Sequence, residues 1–500
     1  MERDLSPMPS AEEWLAAQRQ VQADWAAHSG WASALDLPLG ELPQRVPVTL
    51  PAATPLRTAL QTMSAQRIGS VLVVDTEGRL CGIFTRHDVL DRVVLAQRAL
   101  QEPLAAAMSQ PVQALAPTDT VHDAAVLMSR ARIRHVPIVQ DGRPVGIVTE
   151  RDLFALQRLS VRHVGQTVAT ATTRDDFCHA ASEIRAYARH LMAQGVQPRQ
   201  LTALIVRLND QLTQRLIEVE LAAAGLAADA MAWLALGSEG RGEQTLVTDQ
   251  DNALVFDPDG SDVEAARARW LAWARRVNET LDACGFPLCK GGIMAGNPPC
   301  CLTREEWAAR FARWIDGGSP QELLQASVFF DLRALAGRTD WVEALRAEIL
   351  ARTRAAPRFI RQLVQAHLEH HVPLTWWGGI RTRRDGAHRW LDLKLQGTAL
   401  LVEAARILAL AHGVAATGTR ERLQAGGAAA GVPGAEVAGW VAAFDYLQTL
   451  RLVRQMEPRA QEHPNWLDVQ RLNALEQRML RAALHAIRGL QQRLQLDYLR

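Results

Sequence analysis

Two aspartates that follow a glycine-rich turn carry the residue types that could do chemistry in this chain. Residues 235–256, ALGSEGRGEQTLVTDQDNALVF, predict a strand, a glycine-rich turn, a short helix and a second strand that carries Asp249 and Asp251. Because a strand projects alternate side chains to one face, the two carboxylates are expected to converge. Two carboxylates at this spacing can share a pair of Mg²⁺ ions.

The glycine-rich turn supplies groups that could hold phosphate. Gly237 and Ser238 stand at the end of the first predicted strand, where backbone N–H groups and a hydroxyl are left free for phosphate oxygens. Together with the two aspartates, the turn suits a nucleoside triphosphate with its metal ions. The pattern therefore indicates transfer of a nucleotidyl group.

Composition limits the kinds of protein that could position these residues. A length of 500 residues predicts roughly three domains, and the net charge of +1 argues against a broad nucleic-acid surface. We find no stretch of about 18 uncharged apolar residues and no apolar signal-peptide core, so we expect a cytoplasmic protein without a membrane span. The six cysteines form no CxxC pair, which argues against a zinc site and a disulfide framework.

An internal repeat precedes the glycine-rich turn. Residues 68–90 and 133–154 each predict an apolar strand, a tight turn and a second apolar strand, and an amphipathic helix precedes each copy. The tight turns fall at Gly78 and Gly142. This pattern is typical of a tandem of two small α/β modules.

The repeat resembles the CBS-domain pair over residues 42–158. The resemblance implies two modules packed as a pseudo-twofold pair, with clefts that in the family often bind adenine nucleotides. Thr85 and Asp88 in the first copy, and Thr149 and Asp152 in the second, match the positions that contact such ligands. Each aspartate begins a predicted helix, so it could instead cap free backbone N–H groups. Many CBS pairs serve only as dimer scaffolds.

The segment that carries the two aspartates resembles the nucleotidyltransferase superfamily that includes DNA polymerase β. Within it, the turn Gly240-Arg241-Gly242-Glu243 and residues 248–252 look most like bacterial PII uridylyltransferase and glutamine synthetase adenylyltransferase. Residues 329–337 and 391–410 look like two helices of the adenylyltransferase. The order of segments is similar to that of a bacterial family of CBS-domain-containing nucleotidyltransferases with roles in signal transduction.

This resemblance implies a role for each matching residue. Asp249 and Asp251 would be catalytic and would bind Mg²⁺, and Gly237 and Ser238 would hold the triphosphate. Arg241 would neutralise phosphate charge. A further nucleotide or substrate contact would come from Lys394.

The match to the superfamily is incomplete. Gln250 and Asn252 replace the usual apolar neighbours of the second aspartate. The third carboxylate, which is the usual base, has no clear counterpart, because the candidate third strand at residues 286–295 carries Lys290 and no acid. Asp331 and Glu243 are possible substitutes.

The expected fold class is a multidomain α/β plus α protein with a tandem CBS pair, a small mixed-sheet nucleotidyltransferase core and a C-terminal helical bundle. Helices are predicted at about residues 11–28, within 160–226 with a break at Pro198, at 263–284 and over 322–337. Residues 425–431 are predicted as a loop. The expected domains are an N-terminal helix and linker (1–41), the CBS pair (42–158), a helical linker (159–230), the nucleotidyltransferase core (231–345) and the helical domain (346–500).

The expected function is Mg²⁺-dependent transfer of a nucleotidyl group from UTP or ATP to a regulatory protein of PII type, tuned by an adenine nucleotide at the CBS pair. A homodimer is the default expectation, with no membrane or nucleic-acid partner. The alternative is a non-catalytic nucleotide sensor that acts through a protein partner. Transfer to RNA or to a small molecule such as an aminoglycoside is a third reading, which the near-neutral charge disfavours for RNA.

Overall fold

The structure is a computed structural model whose chain divides into two compact units. The repeat unit spans Trp31–His163, and the main unit comprises Met1–Gly30 and Val164–Arg500. The residues that the structure describes are 8–28, 38–42, 46–258, 260–319, 322–323, 326–376, 378–386, 388–457 and 463–499.

The repeat unit contains the two predicted modules. The first has a sheet in the order Thr49–Pro51, Ser70–Val74, Leu80–Thr85. The first two strands pair in parallel and the last two form an antiparallel hairpin, which the helix Leu56–Ala65 precedes. The second repeats this plan with the strands His135–Gln140 and Arg143–Thr149 and the helix Val121–Ala131. Its equivalent of the first strand is a single parallel bridge between Leu115 and Ile138.

The hairpin turns use the residues that the sequence predicts. Gly78 and Gly142 both have positive φ, at 78° and 80°, a conformation that glycine adopts without steric cost. The two modules also touch, because the backbone N–H of Leu80 donates to the Gly142 carbonyl at 2.9 Å. The tandem of α/β modules is confirmed.

The main unit begins with helices that lie close to their predicted positions. Ala11–His28 forms as predicted, and the break at Pro198 separates Arg174–Ala193 from Pro198–Ala224. Proline at the first helical position needs no N–H partner, which explains why the second helix starts there. The helix Glu150–Thr170 precedes them in the chain.

A four-stranded sheet forms the centre of the predicted nucleotidyltransferase core. Its order is Cys301–Thr303, Asn252–Phe256, Met231–Ala235, Arg333–Gly337, with both neighbours of Met231–Ala235 antiparallel to it. The helix Val263–Ala283 packs beside it through Trp273, whose ring lies 5.8 Å from the ring of Trp233.

Two element predictions in this region are wrong. Residues 286–295 form no strand, because their backbone is held by side-chain amides and turns at Gly292 with φ at 71°. Residues 329–337 form the short 3-10 helix Ser327–Asp331 and then an edge strand instead of a helix. Pairing with Met231–Ala235 overrides the helical pattern there.

The C-terminal part is mainly helical. The described α-helices that follow the strand Cys301–Thr303 in the chain include Arg304–Gly317, Thr339–Arg354, Pro357–Glu369, Ala399–His412, Thr419–Ala429, Gly434–Met456 and Ala474–Tyr498. A small antiparallel sheet, Arg383–Asp385, His388–Asp392 and Trp466–Asp468, is added to the predicted bundle. The multidomain α/β plus α class is confirmed, and none of the described helices is long and apolar enough to cross a membrane.

The predicted loop at residues 425–431 is wrong, because the helix Thr419–Ala429 includes its first five residues. The glycines that suggested a loop serve close packing instead. A Cβ on Gly426 would come within 2.9 Å of the Leu408 side chain, and one on Gly427 within 2.6 Å of Val437. Small residues therefore let neighbouring helices approach this helix.

A buried carboxylate joins the sheet to the C-terminal helices. Asp331 is 0% exposed and accepts hydrogen bonds from Arg241, Arg406 and Arg422. Arg406 binds it through two nitrogens, at 3.0 Å and 2.7 Å. Burial would raise the pKa of Asp331, but the three guanidinium charges hold it far below its usual range. This group of four side chains is the Asp331 cluster.

We predict that Asp331→Asn destabilises the protein strongly. It leaves the buried guanidinium groups of Arg406 and Arg422 without a balancing charge, while Arg241 keeps Glu243. This should lower the free energy of unfolding by about 3–5 kcal/mol. Urea denaturation followed by tryptophan fluorescence measures this. Asp340→Asn is the control, because Asp340 pairs with Arg338 at the surface, where water can replace the bonds. Equal denaturation midpoints for the two variants would contradict a structural role for the cluster.

Candidate functional site

Asp249 and Asp251 lie in the loop that leads into the strand Asn252–Phe256, and not on the strand itself. Strand pairing stops at Ala235 and Asn252, because the strand Met231–Ala235 is followed by a turn of helix that begins at Gly237. The carboxylates are nevertheless neighbours. Burial, and next the charge of Asp249, raise the pKa of Asp251 to about 6.

Gly237 must be glycine for this arrangement to form. Its φ is +51°, and a Cβ at this position would lie 2.4 Å from Asp251 Oδ2 and 3.1 Å from Val328 Cγ2. The glycine-rich turn can therefore close against the carboxylate only without a side chain.

Ser238 and Lys394 approach the same place from different parts of the chain. Ser238 Oγ lies 3.1 Å from Thr248 Oγ1. Lys394 Nζ lies 3.6 Å from Asp249 Oδ1, and both side chains are exposed. The Asp392 carboxylate holds the backbone at Lys394 by accepting the Lys394 N–H at 2.9 Å. The ammonium group of Lys394 thus faces the carboxylate of Asp249.

One cleft in the main unit brings together the residues predicted to bind metal and nucleotide. Its lining includes Gly237, Ser238, Arg241, Asp249, Asp251 and Lys394. Its opposite wall comes from the helices Ala399–His412 and Gly434–Met456, which contribute Glu403 and Arg451. Burial, and next the charge of Arg241, lower the pKa of Arg451 to about 10.

Arg241 lines the cleft, but its guanidinium is already bound to protein carboxylates. Its Nε donates to Glu243 Oε2 at 2.9 Å, and a terminal nitrogen donates to Asp331. Glu243 also accepts the Thr419 hydroxyl at 2.9 Å. Arg241 therefore fixes the glycine-rich turn, and its contact with phosphate stays a prediction.

Neither suggested substitute for the third carboxylate is free to act as a base. Asp331 has no exposure, and both of its oxygens accept bonds from arginines. Both oxygens of Glu243 are engaged by Arg241 and Thr419. In addition, the described residues contain no group of three His, Cys, Asp or Glu side chains that could hold a metal ion.

The unusual residues beside Asp251 form a buried amide network. Gln250 donates to the carbonyls of Asn278 and Phe286 at 3.0 and 2.8 Å. Asn278 donates to the side-chain oxygens of Gln250 and Asn252 at 2.8 and 3.0 Å. Asn252 accepts the Ala295 N–H at 2.8 Å. These bonds hold residues 286–296 against the sheet, so polar residues replace the usual apolar ones.

Glu403, which lines the cleft, and its partner His367 are residues that the sequence pattern did not predict. His367 Nδ1 lies 3.1 Å from Glu403 Oε2, although the two residues belong to different helices. The available signal was the interruption of an apolar helix by Glu403 and Arg406. Both residues line the cleft, and Arg406 also binds Asp331.

The residues of the repeat unit that were predicted to bind a nucleotide cap helices, which is the alternative role that the sequence left open for the two aspartates. Asp88 Oδ2 accepts the backbone N–H and hydroxyl of Thr85 at 2.8 and 2.7 Å. Asp152 Oδ2 does the same with Thr149 at 3.0 and 2.6 Å. The modules differ at the other oxygen, because Asp88 Oδ1 accepts the Ser109 hydroxyl at 2.7 Å. Asp152 Oδ1 has no such bond among the described residues.

Family comparisons match three parts of the chain. Residues 182–321 match the family described as "Putative nucleotidyltransferase DUF294". Residues 357–498 match "Putative nucleotidyltransferase substrate binding domain". Residues 39–95 and 104–158 match the CBS domain. The cleft lies between residues of the first two matches, with Asp249 in one and Glu403 in the other.

Curated relatives are similar over shorter stretches. CBS domain-containing protein YhcV of Bacillus subtilis is 31% identical over 113 residues, which cover 23% of this chain and 79% of YhcV. CBS domain-containing protein CBSCBSPB5 of Arabidopsis thaliana is 33% identical over 103 residues, 20% of this chain. The matched stretch is only 19% of the length of the Arabidopsis protein.

Solved structures are similar to about a quarter of the chain. CBS domain protein PAE2072 from Pyrobaculum aerophilum, complexed with AMP, is 30% identical and covers 24% of this chain and 97% of its own, with a TM-score of 0.23. The CBS domain pair of MJ0100, in complex with 5′-methylthioadenosine and S-adenosyl-L-methionine, is 28% identical over 24% of this chain and 94% of its own, with a TM-score of 0.22.

We predict that Gly237→Ala destabilises the protein more than Gly225→Ala. Both positions have positive φ, +51° and +62°, so both substitutions carry the same kind of backbone strain. A Cβ at Gly225 would meet no atom of the described residues within 4 Å, whereas one at Gly237 would meet the Asp251 carboxylate. Thermal unfolding should therefore give a lower Tm for Gly237→Ala. Equal Tm values would mean that the turn does not press on Asp251.

Proposed function

Because the chain belongs to the CBS domain-containing proteins and matches both nucleotidyltransferase models, we propose that it is a Mg²⁺-dependent nucleotidyltransferase regulated by an adenine nucleotide. The observation that carries this proposal is the cleft between the two matched regions. There, two neighbouring carboxylates, the glycine-rich turn and Lys394 face one another.

The two aspartates suit Mg²⁺ when the nucleotide completes its coordination. Magnesium is commonly bound by one or two carboxylates together with substrate phosphates. Asp249 and Asp251 offer such a pair. Burial, and next the charge of Asp249, raise the pKa of Asp251, and a bound cation would balance the two negative charges. When bound, Mg²⁺ would neutralise triphosphate oxygens and the charge that develops on departing pyrophosphate.

The chain's own groups would bind and orient the triphosphate. Backbone N–H groups at Gly237 and the Ser238 hydroxyl would donate to phosphate oxygens. Lys394 would add a positive charge at the side where it now meets Asp249. Arg241 would act mainly by holding the turn in place through Glu243 and Asp331.

We place the acceptor among regulatory proteins of PII type, with transfer of UMP or AMP. The resemblance of residues 240–252 to PII uridylyltransferase and glutamine synthetase adenylyltransferase supports this choice. A homodimer formed through the CBS pair and a cytoplasmic location belong to the same proposal.

We predict that pyrophosphate release requires both aspartates. Purified protein with Mg²⁺, each of the four nucleoside triphosphates and a PII-type acceptor should release pyrophosphate from UTP or ATP. Asp249→Asn and Asp251→Asn should lower the rate at least about 100-fold, and chelation should abolish it. Asp340→Asn, a surface carboxylate, should keep the wild-type rate.

Two results would count against this enzyme. If Asp249→Asn and Asp251→Asn both kept the wild-type rate, the assigned site would be wrong. If no triphosphate gave pyrophosphate but nucleotide still bound, the non-catalytic sensor would be the better function.

The CBS ligand is proposed to bind mainly at the second module. Both oxygens of Asp88 are used within the protein, by Thr85 and Ser109. Asp152 accepts hydrogen bonds from Thr149 at Oδ2, and its Oδ1 can accept a hydrogen bond from another donor. The ribose hydroxyls of an adenine nucleotide would supply that donor.

We predict that Asp152→Asn weakens AMP binding about 10- to 100-fold, as expected when hydrogen bonds to a charged group are lost. Asp88→Asn should change the affinity about twofold or less, although it should lower the Tm. Calorimetry with AMP in the presence of a chelator keeps the catalytic cleft out of the measurement. A larger loss of affinity in Asp88→Asn would reverse the assignment.

A further inference from the structure

Glu403 is the cleft carboxylate whose surroundings suit a proton acceptor. Its side chain is 24% exposed, while that of His367 behind it is 1% exposed. His367 Nδ1 lies within hydrogen-bond distance of Glu403 Oε2, at 3.1 Å, and no described residue donates to Glu403 Oε1. The second oxygen is therefore available to a group that enters the cleft.

The protein keeps Glu403 in its charged form. Burial would raise the pKa of Glu403, but the hydrogen bond and charge of His367, with Arg406 nearby, hold it below the usual value. Asp331 and Glu243 lack a free oxygen, so Glu403 is the better placed carboxylate.

A structural explanation accounts for Glu403 less well. His367 Nε2 is buried and has no hydrogen-bond partner among the described residues, so the pair leaves one polar atom unsatisfied there. Such an atom costs free energy, and an apolar pair would pack more favourably at this position. Glu403 is also no third metal ligand in this arrangement, because no three metal-binding side chains cluster among the described residues.

We propose that Glu403 accepts the proton of the attacking hydroxyl and that His367 orients it. This inference rests on the proposed nucleotidyltransferase function. The acceptor oxygen forms a bond to the α-phosphorus, and its proton passes to Glu403 Oε1. The bond from the α-phosphorus to the bridging oxygen breaks, and pyrophosphate leaves with that electron pair. Glu403 later returns its proton to solvent.

Water serves as the acceptor probe, because the same carboxylate would take a proton from any attacking O–H group. The full-length protein is incubated with Mg²⁺ and ATP or UTP, and the slow formation of nucleoside monophosphate and pyrophosphate is measured. Glu403→Gln keeps an oxygen that can accept from His367 but cannot take a proton. We expect its kcat to fall about 100- to 10,000-fold.

The binding and stability of Glu403→Gln separate catalysis from structure. The affinity for the non-hydrolysable α,β-methylene ATP should stay within about twofold of wild type, and Tm should hardly change, because a base acts only in the reaction. Glu403→Asp, which keeps an acid, should retain more activity than Glu403→Gln. Glu369→Gln is the matched control, an exposed glutamate two residues from His367 whose loss should leave kcat unchanged.

His367 is tested as a positioning residue by conservative rescue. His367→Leu removes the hydrogen bond and should lower kcat with little effect on KM. His367→Asn can place an amide N–H near the position of Nδ1, so it should recover part of the lost kcat. Equal rates in the two variants would overturn the orienting role.

The outcomes distinguish this inference from the function on which it rests. Wild-type kcat in Glu403→Gln, together with loss of activity in Asp249→Asn, would overturn the base and leave the enzyme in place. A loss of nucleotide affinity or of Tm that matches the loss of kcat would also overturn it, in favour of a structural role. No product from the wild-type protein under any condition would overturn the proposed function and this inference with it.

Discussion

The buried charge of Asp331 is the constraint on which the cleft depends. A carboxylate without exposure is tolerated only when its charge is fully matched, and here Arg241, Arg406 and Arg422 match it. Arg241 belongs to the glycine-rich turn, while the other two belong to C-terminal helices. Because all three arginines bind one carboxylate, the glycine-rich turn and the C-terminal helices are held at a fixed distance. The cleft lies between the turn and these helices.

The acidic groups around the cleft differ in how completely their charge is compensated. Asp331 has three arginines and can take no other partner. Among the described residues, Asp249 forms an ion pair with Lys394 at 3.6 Å. Asp251 lies beside Asp249, and burial, and next the charge of Asp249, raise the pKa of Asp251. Uncompensated negative charge is what attracts a cation. Glu403 lies between these extremes, since one of its oxygens is bound and the other is open.

Local pattern predicted much of the fold, and long-range contacts account for most of what it missed. The CBS repeat and the break at Pro198 follow from periodicity and turn residues, which act within a few positions. Residues 329–337 look helical, but strand pairing with residues 231–235 decides their form. The glycines of residues 425–431 suggested a loop because local pattern does not show that Gly426 packs against Leu408 and Gly427 against Val437 of the neighbouring helices. His367 and Glu403 are likewise joined only by folding.

The aspartate motif and the helical domain line different sides of one cleft. The motif, within residues 182–321, carries the groups that we propose for phosphate and metal, which need only a turn and two nearby carboxylates. Residues 357–498 add Lys394, Glu403 and Arg451, whose positions depend on the packing of several helices. A motif search therefore finds the part of the chemistry shared by many nucleotidyl transfers. In the proposed mechanism the helical domain supplies Glu403, which would meet the acceptor, and Lys394, which would meet the triphosphate.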